Sequence, residues 1–126
     1  NKIGEFDRPL PYKPEPPKLV HQSSDKDGII RMQATMDMIT QDAEIGLDGN
    51  LYLLTFTESY MKRAKKEDRD SLPPIQMRID VIDTKTYKLI RSIDIDGGAR
   101  CFGLLDKNRL VYVYENSEGE LFLKCI

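Results

Sequence analysis

The sequence contains no tryptophan and a single histidine, His21. Without tryptophan the chain lacks the broad aromatic platform on which sugars commonly stack. With one histidine, in a loop-like stretch far from either cysteine, a Cys/His zinc site is short of ligands at any ordinary spacing. Charge of one sign is scarce as well. Nineteen basic and 21 acidic side chains leave a net charge of -2, so no global field draws the chain to nucleic acid or to an anionic membrane. No apolar run approaches the roughly 18 residues a membrane-crossing helix needs, and the first residues lack the charged-then-apolar order of a signal peptide. The chain opens Asn1-Lys2 rather than on a methionine, which points to a processed protein or a piece of a longer one.

What is present belongs to a folded domain: 126 residues, 40% hydrophobic and 32% charged, enough for one modest core. Cys101 and Cys125 each fall inside an apolar strand pattern and are expected as buried thiols, a disulfide remaining open if their strands are neighbours.

Proline divides the chain. Five of the seven prolines lie in residues 1–28 (Pro9, Pro11, Pro14, Pro16 and Pro17), where a fixed φ and a missing amide donor disfavour helix and central strand. This stretch is expected to run extended, as a linker or strap. Pro14-Glu15-Pro16-Pro17 also fits a polyproline ligand for an aromatic groove. The segment Gln22-Ser23-Ser24-Asp25-Lys26-Asp27-Gly28 reads as a turn or loop.

Beyond Gly28 the pattern becomes that of short strands. Ile29, Ile30 and Met32 make one, and Met36, Met38 and Ile39 another or a helical turn. Residues 42–56 read as strand, Asp48-Gly49-Asn50 turn and strand, since glycine and asparagine tolerate positive φ. Residues 58–70 (ESYMKRAKKEDRD) carry nine charges of both signs and, with Pro73-Pro74 after them, form a surface helix or a long loop. Further strands are expected at 76–82, 88–95, 101–105, 109–114 and 121–126, separated by Asp83-Thr84-Lys85-Thr86, Asp96-Gly97-Gly98, Asp106-Lys107-Asn108 and Asn116-Ser117-Glu118-Gly119. Turn signals at this spacing are those of an all-β sandwich, barrel or propeller, here an antiparallel meander. Leu51, Leu53, Ile79, Val81, Leu110 and Tyr112 are expected to be buried on a shared sheet system.

Two segments repeat each other. Ala43-Glu44-Ile45-Gly46-Leu47-Asp48-Gly49-Asn50-Leu51-Tyr52-Leu53 and residues 101–113 (CFGLLDKNRLVYV) both run apolar strand, Gly, Leu, Asp, turn, then Leu-Tyr or Leu-Val-Tyr. Without residues 58–74 their spacing falls within the roughly 40–50 residues of a propeller blade. With Val81-Ile82-Asp83-Thr84 and Ile93-Asp94-Ile95 the pattern resembles the NHL and YVTN-type β-propellers over residues 42–114. The resemblance implies one to two blades within residues 29–126, interrupted by a charged insertion at 58–74. A closed propeller needs at least four blades, so it also implies the C-terminal portion of a longer, six-bladed protein. Extracytoplasmic placement, in the periplasm or at the cell surface as a lipoprotein, is a further implication of the family. So is self-association through sheet faces left uncovered.

Candidate chemical groups each have a plainer explanation. Asp42, Glu44 and Asp48 resemble a calcium cluster, yet Asp42 and Glu44 share one face of a period-two strand opposite Ile45 and Leu47, as a solvated face would. Asp94 and Asp96 resemble a carboxylate pair, but alternating Ile93 and Ile95 account for their spacing. Gly97-Gly98-Ala99-Arg100 precedes a strand and not a helix, so it is a tight turn rather than a phosphate cradle. Lys62, Arg63, Lys65 and Lys66 are interleaved with Glu67, Asp68 and Asp70. His21, Ser23 and Ser24 lack an orienting carboxylate on a rigid element. No catalytic, cofactor-binding or metal residue is assigned. The expected function is a non-enzymatic binding or scaffold module for a protein or carbohydrate ligand. The alternatives are part of a propeller enzyme (lyase or hydrolase) with catalytic residues outside this chain, and an unrelated compact β-sandwich.

Overall fold

A computed structural model describes residues 8–24, 26, 28, 30–107 and 109–126. Among these residues nine strands follow one another: β1 Lys18–Ser24, β2 Ile30–Thr35, β3 Thr40–Ile45, β4 Leu51–Phe56, β5 Met77–Asp83, β6 Lys88–Ile95, β7 Ala99–Leu104, β8 Leu110–Glu115 and β9 Leu121–Cys125. A short helix, α1 Tyr60–Ala64, and a 3-10 turn at Arg69–Ser71 interrupt them between β4 and β5. The strands make three antiparallel sheets, ordered β1-β2, β3-β4-β5-β6 and β7-β8-β9, in which every strand pairs with its neighbour in the chain. The fold is all-β and meandering.

The turns hold their form through short oxygen-bearing side chains. Asp48 accepts from the Asn50 amide at 3.0 Å, from Asn50 Nδ2 at 2.8 Å and from the Tyr52 hydroxyl at 2.9 Å, while Gly49 takes a φ of +80° that a side chain would strain. Asp83 caps the next turn by accepting from the amides of Lys85 and Thr86, and Thr84 Oγ1 donates to the Gly49 carbonyl at 2.6 Å, which ties the two turns together.

The core lies between the larger sheets. Tyr52, Leu54 and Phe56 of β4 and Met77, Ile79 and Val81 of β5 pack against Phe102, Leu110 and Tyr112 of β7 and β8. Leu53, Thr55, Asp80 and Ile82 are also buried, on the opposite face. Because β4 and β5 are interior strands covered on both sides, LYLLTF is a continuous apolar run rather than an alternating one. Of the six residues expected in the core, five are buried and Leu51 is half-buried. They do not all share one face: Leu53 pairs with Asp80 and Leu54 with Ile79, so Leu53 points away from Ile79 and Val81.

That second face carries a charge. Asp80, fully buried, meets Arg78 Nε at 2.9 Å, accepts from Ser92 Oγ at 2.6 Å and lies 3.7 Å from Arg8 Nε. Arg8 also donates to Thr55 Oγ1 and Thr40 Oγ1, both at 3.0 Å, and Arg78 Nη2 donates to the Pro9 carbonyl at 2.7 Å. The proline-rich segment from residue 8 onward is thus a strap fastened across the four-stranded sheet by two arginines sharing one carboxylate.

Several expectations are corrected. Strand β1 extends through Gln22, Ser23 and Ser24, which the composition placed in a turn, because pairing with β2 extends them. Residues 36–39 form no strand; they connect β2 to β3, with Asp37 turned inward. Cys101 and Cys125 are free and exposed rather than buried. They pair with Val113 and Val111 on either side of β8, on the face of the three-stranded sheet that points away from the core.

Candidate functional site

The insertion between β4 and β5 is pinned where it leaves and rejoins the sheet. Thr57 donates to the Gln76 carbonyl through its amide at 3.2 Å and its hydroxyl at 2.6 Å, and Gln76 Nε2 donates to the Ile95 carbonyl. Ser59 caps α1 by accepting from the Lys62 amide at 3.0 Å. Behind the cap sits Asp37. Its carboxylate accepts from Ser59 Oγ at 2.7 and 2.8 Å, from the Met61 amide at 2.8 Å and from the Glu15 amide at 2.5 Å. Burial alone would raise its pKa. The donors from Glu15, Met61 and Ser59 outweigh that and hold it below the usual aspartate value.

Fixed in this way, α1 presents Tyr60 and Arg63 above a groove. The Tyr60 ring leans on Phe56 with centroids 6.4 Å apart, and Arg63 is held by an ion pair with Glu58. One cleft of about 370 Å³ runs from Met38 and Tyr60 past Pro74 to Arg100, Glu115 and Asn116. A second, of about 580 Å³, continues under Tyr60, Arg63 and Asp70 to Ser117. The turn from β6 to β7 contributes Gly98 to the lining of the first. There Gly98 has a φ of +78° and a Cβ would lie 2.6 Å from the Glu115 carbonyl, while at Gly97 it would lie 2.7 Å from that of Pro74. Only glycine lets the turn approach Pro74 and Glu115 this closely, so the tight-turn reading of Gly97-Gly98 holds.

The other sequence candidates are dispersed. Asp42 and Glu44 are half-buried while Ile45 and Leu47 are exposed, the reverse of the expected solvated carboxylate face. The cause is visible at Asp42, whose Oδ2 accepts from the Phe102 amide at 3.2 Å on the open edge of β7. Asp48 is engaged in its own turn. Asp94 is exposed, whereas Asp96 accepts from the Tyr112 hydroxyl at 2.7 Å and Lys124 Nζ at 3.0 Å, and these two bonds lower its pKa. Lys65 reaches Glu15 at 2.6 Å. The side chains of His21 and Ser23 lie outside the described residues. No group of three or more His, Cys, Asp or Glu suited to a metal ion occurs among the described residues, and none of their helices is long and apolar enough to cross a membrane.

Tyr60 and Asp37 escaped the sequence reading. Ser59 ahead of a lysine- and arginine-rich turn was the available sign of a capped helix. The aspartate that fixes the cap comes from 22 residues away, beyond any local pattern. No family model, curated protein or solved structure matches this chain.

Proposed function

We propose that the chain is a non-enzymatic, propeller-type binding or scaffold module whose protein or carbohydrate ligand occupies the groove beside α1. The observation that carries this reading is the anchoring of α1 by Asp37. It turns an otherwise loose charged insertion into a rigid support for Tyr60, an aromatic side chain 45% exposed over a cleft. Around it the groove offers Arg63, Asp70, Asn116 and the Arg100–Glu115 ion pair, a mixture suited to peptide backbone or sugar hydroxyls. The uninterrupted meander of both larger sheets favours blades over a sandwich, whose strands commonly return by Greek-key connections. The test is binding to arrays of defined glycans and peptides. A ligand held by the parent chain and lost in both Tyr60→Ala and Arg63→Ala, with thermal unfolding unchanged, is the expected result. A ligand retained by both variants would place recognition elsewhere.

A further inference from the structure

We propose that a further cleft, at the opposite end of the same two sheets, binds a small anion with an apolar body, such as a medium-chain carboxylate. It has a volume of about 240 Å³ and opens where β6 faces the turn from β7 to β8. Ile93, Leu104, Leu110 and Ile126 form its apolar lining, and Arg91, Lys107 and Arg109 stand around it. Its charges do not cancel. Asp106 and Arg109 neutralise each other, joined from Arg109 Nε at 2.6 Å and from the Arg109 amide at 2.9 Å. Asp48, the carboxylate hydrogen-bonded to the Tyr52 hydroxyl, is already committed to that hydroxyl and to two donors of Asn50. Arg91 and Lys107 remain as cations on a mostly apolar cavity.

The Tyr52 hydroxyl at the cleft senses both signs. Burial and then Asp48 push its pKa up, and Arg91, which lines the same cleft, pulls it back. Clefts that take drug-sized ligands run from about 300 to 1,000 Å³. This one is smaller, and it matches a short acyl or single-ring body whose carboxylate lies between Arg91 and Lys107. A carboxylate fits better than an alcohol because charge-assisted hydrogen bonds are the stronger ones. Gly46 packs closely behind two of these side chains: a Cβ there would lie 2.7 Å from the Tyr52 ring and 3.2 Å from Leu104.

The site is separate from the groove beside α1 and stands or falls independently of it. The experiment is methyl NMR of the whole chain titrated with octanoate, octanol and octylammonium. Octanoate should shift the methyl signals of Ile93, Leu104, Leu110 and Ile126 saturably, and octylammonium should leave them in place. Arg91→Ala combined with Lys107→Ala, both at exposed positions, should weaken octanoate roughly tenfold with thermal unfolding unchanged. The proposal is overturned by any of three results: equal shifts with octylammonium, octanoate shifts confined to Val111, Val113, Leu121 and Leu123 on the outer face, or unchanged affinity in the double variant.

Discussion

Asp37 and Ser59 hold each other out of water: both side chains are buried, and the serine hydroxyl lies within 2.8 Å of both carboxylate oxygens. The link joins the connection before β3 to the cap of α1, so the placement of Tyr60 rests on an aspartate outside the insertion. Asp37→Ala should release α1, costing about 1 to 3 kcal/mol for the buried donors left unpaired. Hydrogen exchange of the Met61 and Lys62 amides checks this. Acceleration there with β4 and β5 still protected is the expected pattern.

Acid should weaken the fold through the same carboxylate. Asp37, Asp48 and Asp96 all have pKa values held below the ordinary 3.8 by their donors. A carboxylate with a lowered folded-state pKa stabilises above its unfolded value, and that contribution disappears as pH falls through the folded one. Stability should therefore be steady above about pH 5 and fall progressively below about pH 4. Asp37→Asn should narrow the difference in denaturant midpoint between pH 7 and pH 3. An unaltered difference would remove Asp37 from the account.

Asp80 is the costliest residue to leave alone. Replacing Arg78 by Ala removes the nearer of the two cations from a fully buried carboxylate, leaving Arg8 at 3.7 Å and the Ser92 hydroxyl, and should destabilise by up to about 3 to 5 kcal/mol. Replacing Arg78 and Asp80 together, by Met and Leu, should recover much of the loss. Urea denaturation of the single and double variants measures both. Equal loss in the two would mean the arginine acts by packing rather than by pairing.

Leu54, fully buried in the shared core, should lose about 2 to 5 kcal/mol on truncation to Ala. Exposed Leu123, on the outer face of β9, should lose far less. Midpoints that ranked the other way would reject the assignment of faces.

Deleting residues 61–70 removes α1, the Met61 amide on Asp37 and the Lys65 contact with Glu15, but none of the sheet pairing. Loop closure costs change slowly with length, so a single cooperative unfolding transition should survive. Its loss would make the insertion part of the core.

Strands were legible because they depend on local signals. Asp-Gly-Asn at 48–50 and Asp-Thr-Lys-Thr at 83–86 make turns from their own side chains, and β6 matches the 88–95 expectation residue for residue. Facing was harder. Period two shows that Asp42 and Glu44 share a side but not which side is covered, and the answer came from an amide on β7, about sixty residues on. Cys101 and Cys125 sit in apolar strands, yet a strand at the outside of a packed pair has one apolar face in solvent. Of the groove, only the charged insertion was visible beforehand. Its fixing residue, Asp37, lies in a stretch whose pattern fits a strand or a helical turn equally and does not mark it as an anchor.

The strap also has a consequence in time. Every strand pairs with its chain neighbour, so the sheets can zip up by short loop closures, whereas Arg8 and Asp80 are separated by most of β1 through β5. The clasp can close only after β4 and β5 have met to create the face it crosses. Arg8→Ala should therefore leave the folding rate nearly unchanged and speed unfolding, which stopped-flow refolding and unfolding would show. On that account the arginine acts as a latch on a finished sheet, governing how long the molecule stays folded rather than how quickly it gets there.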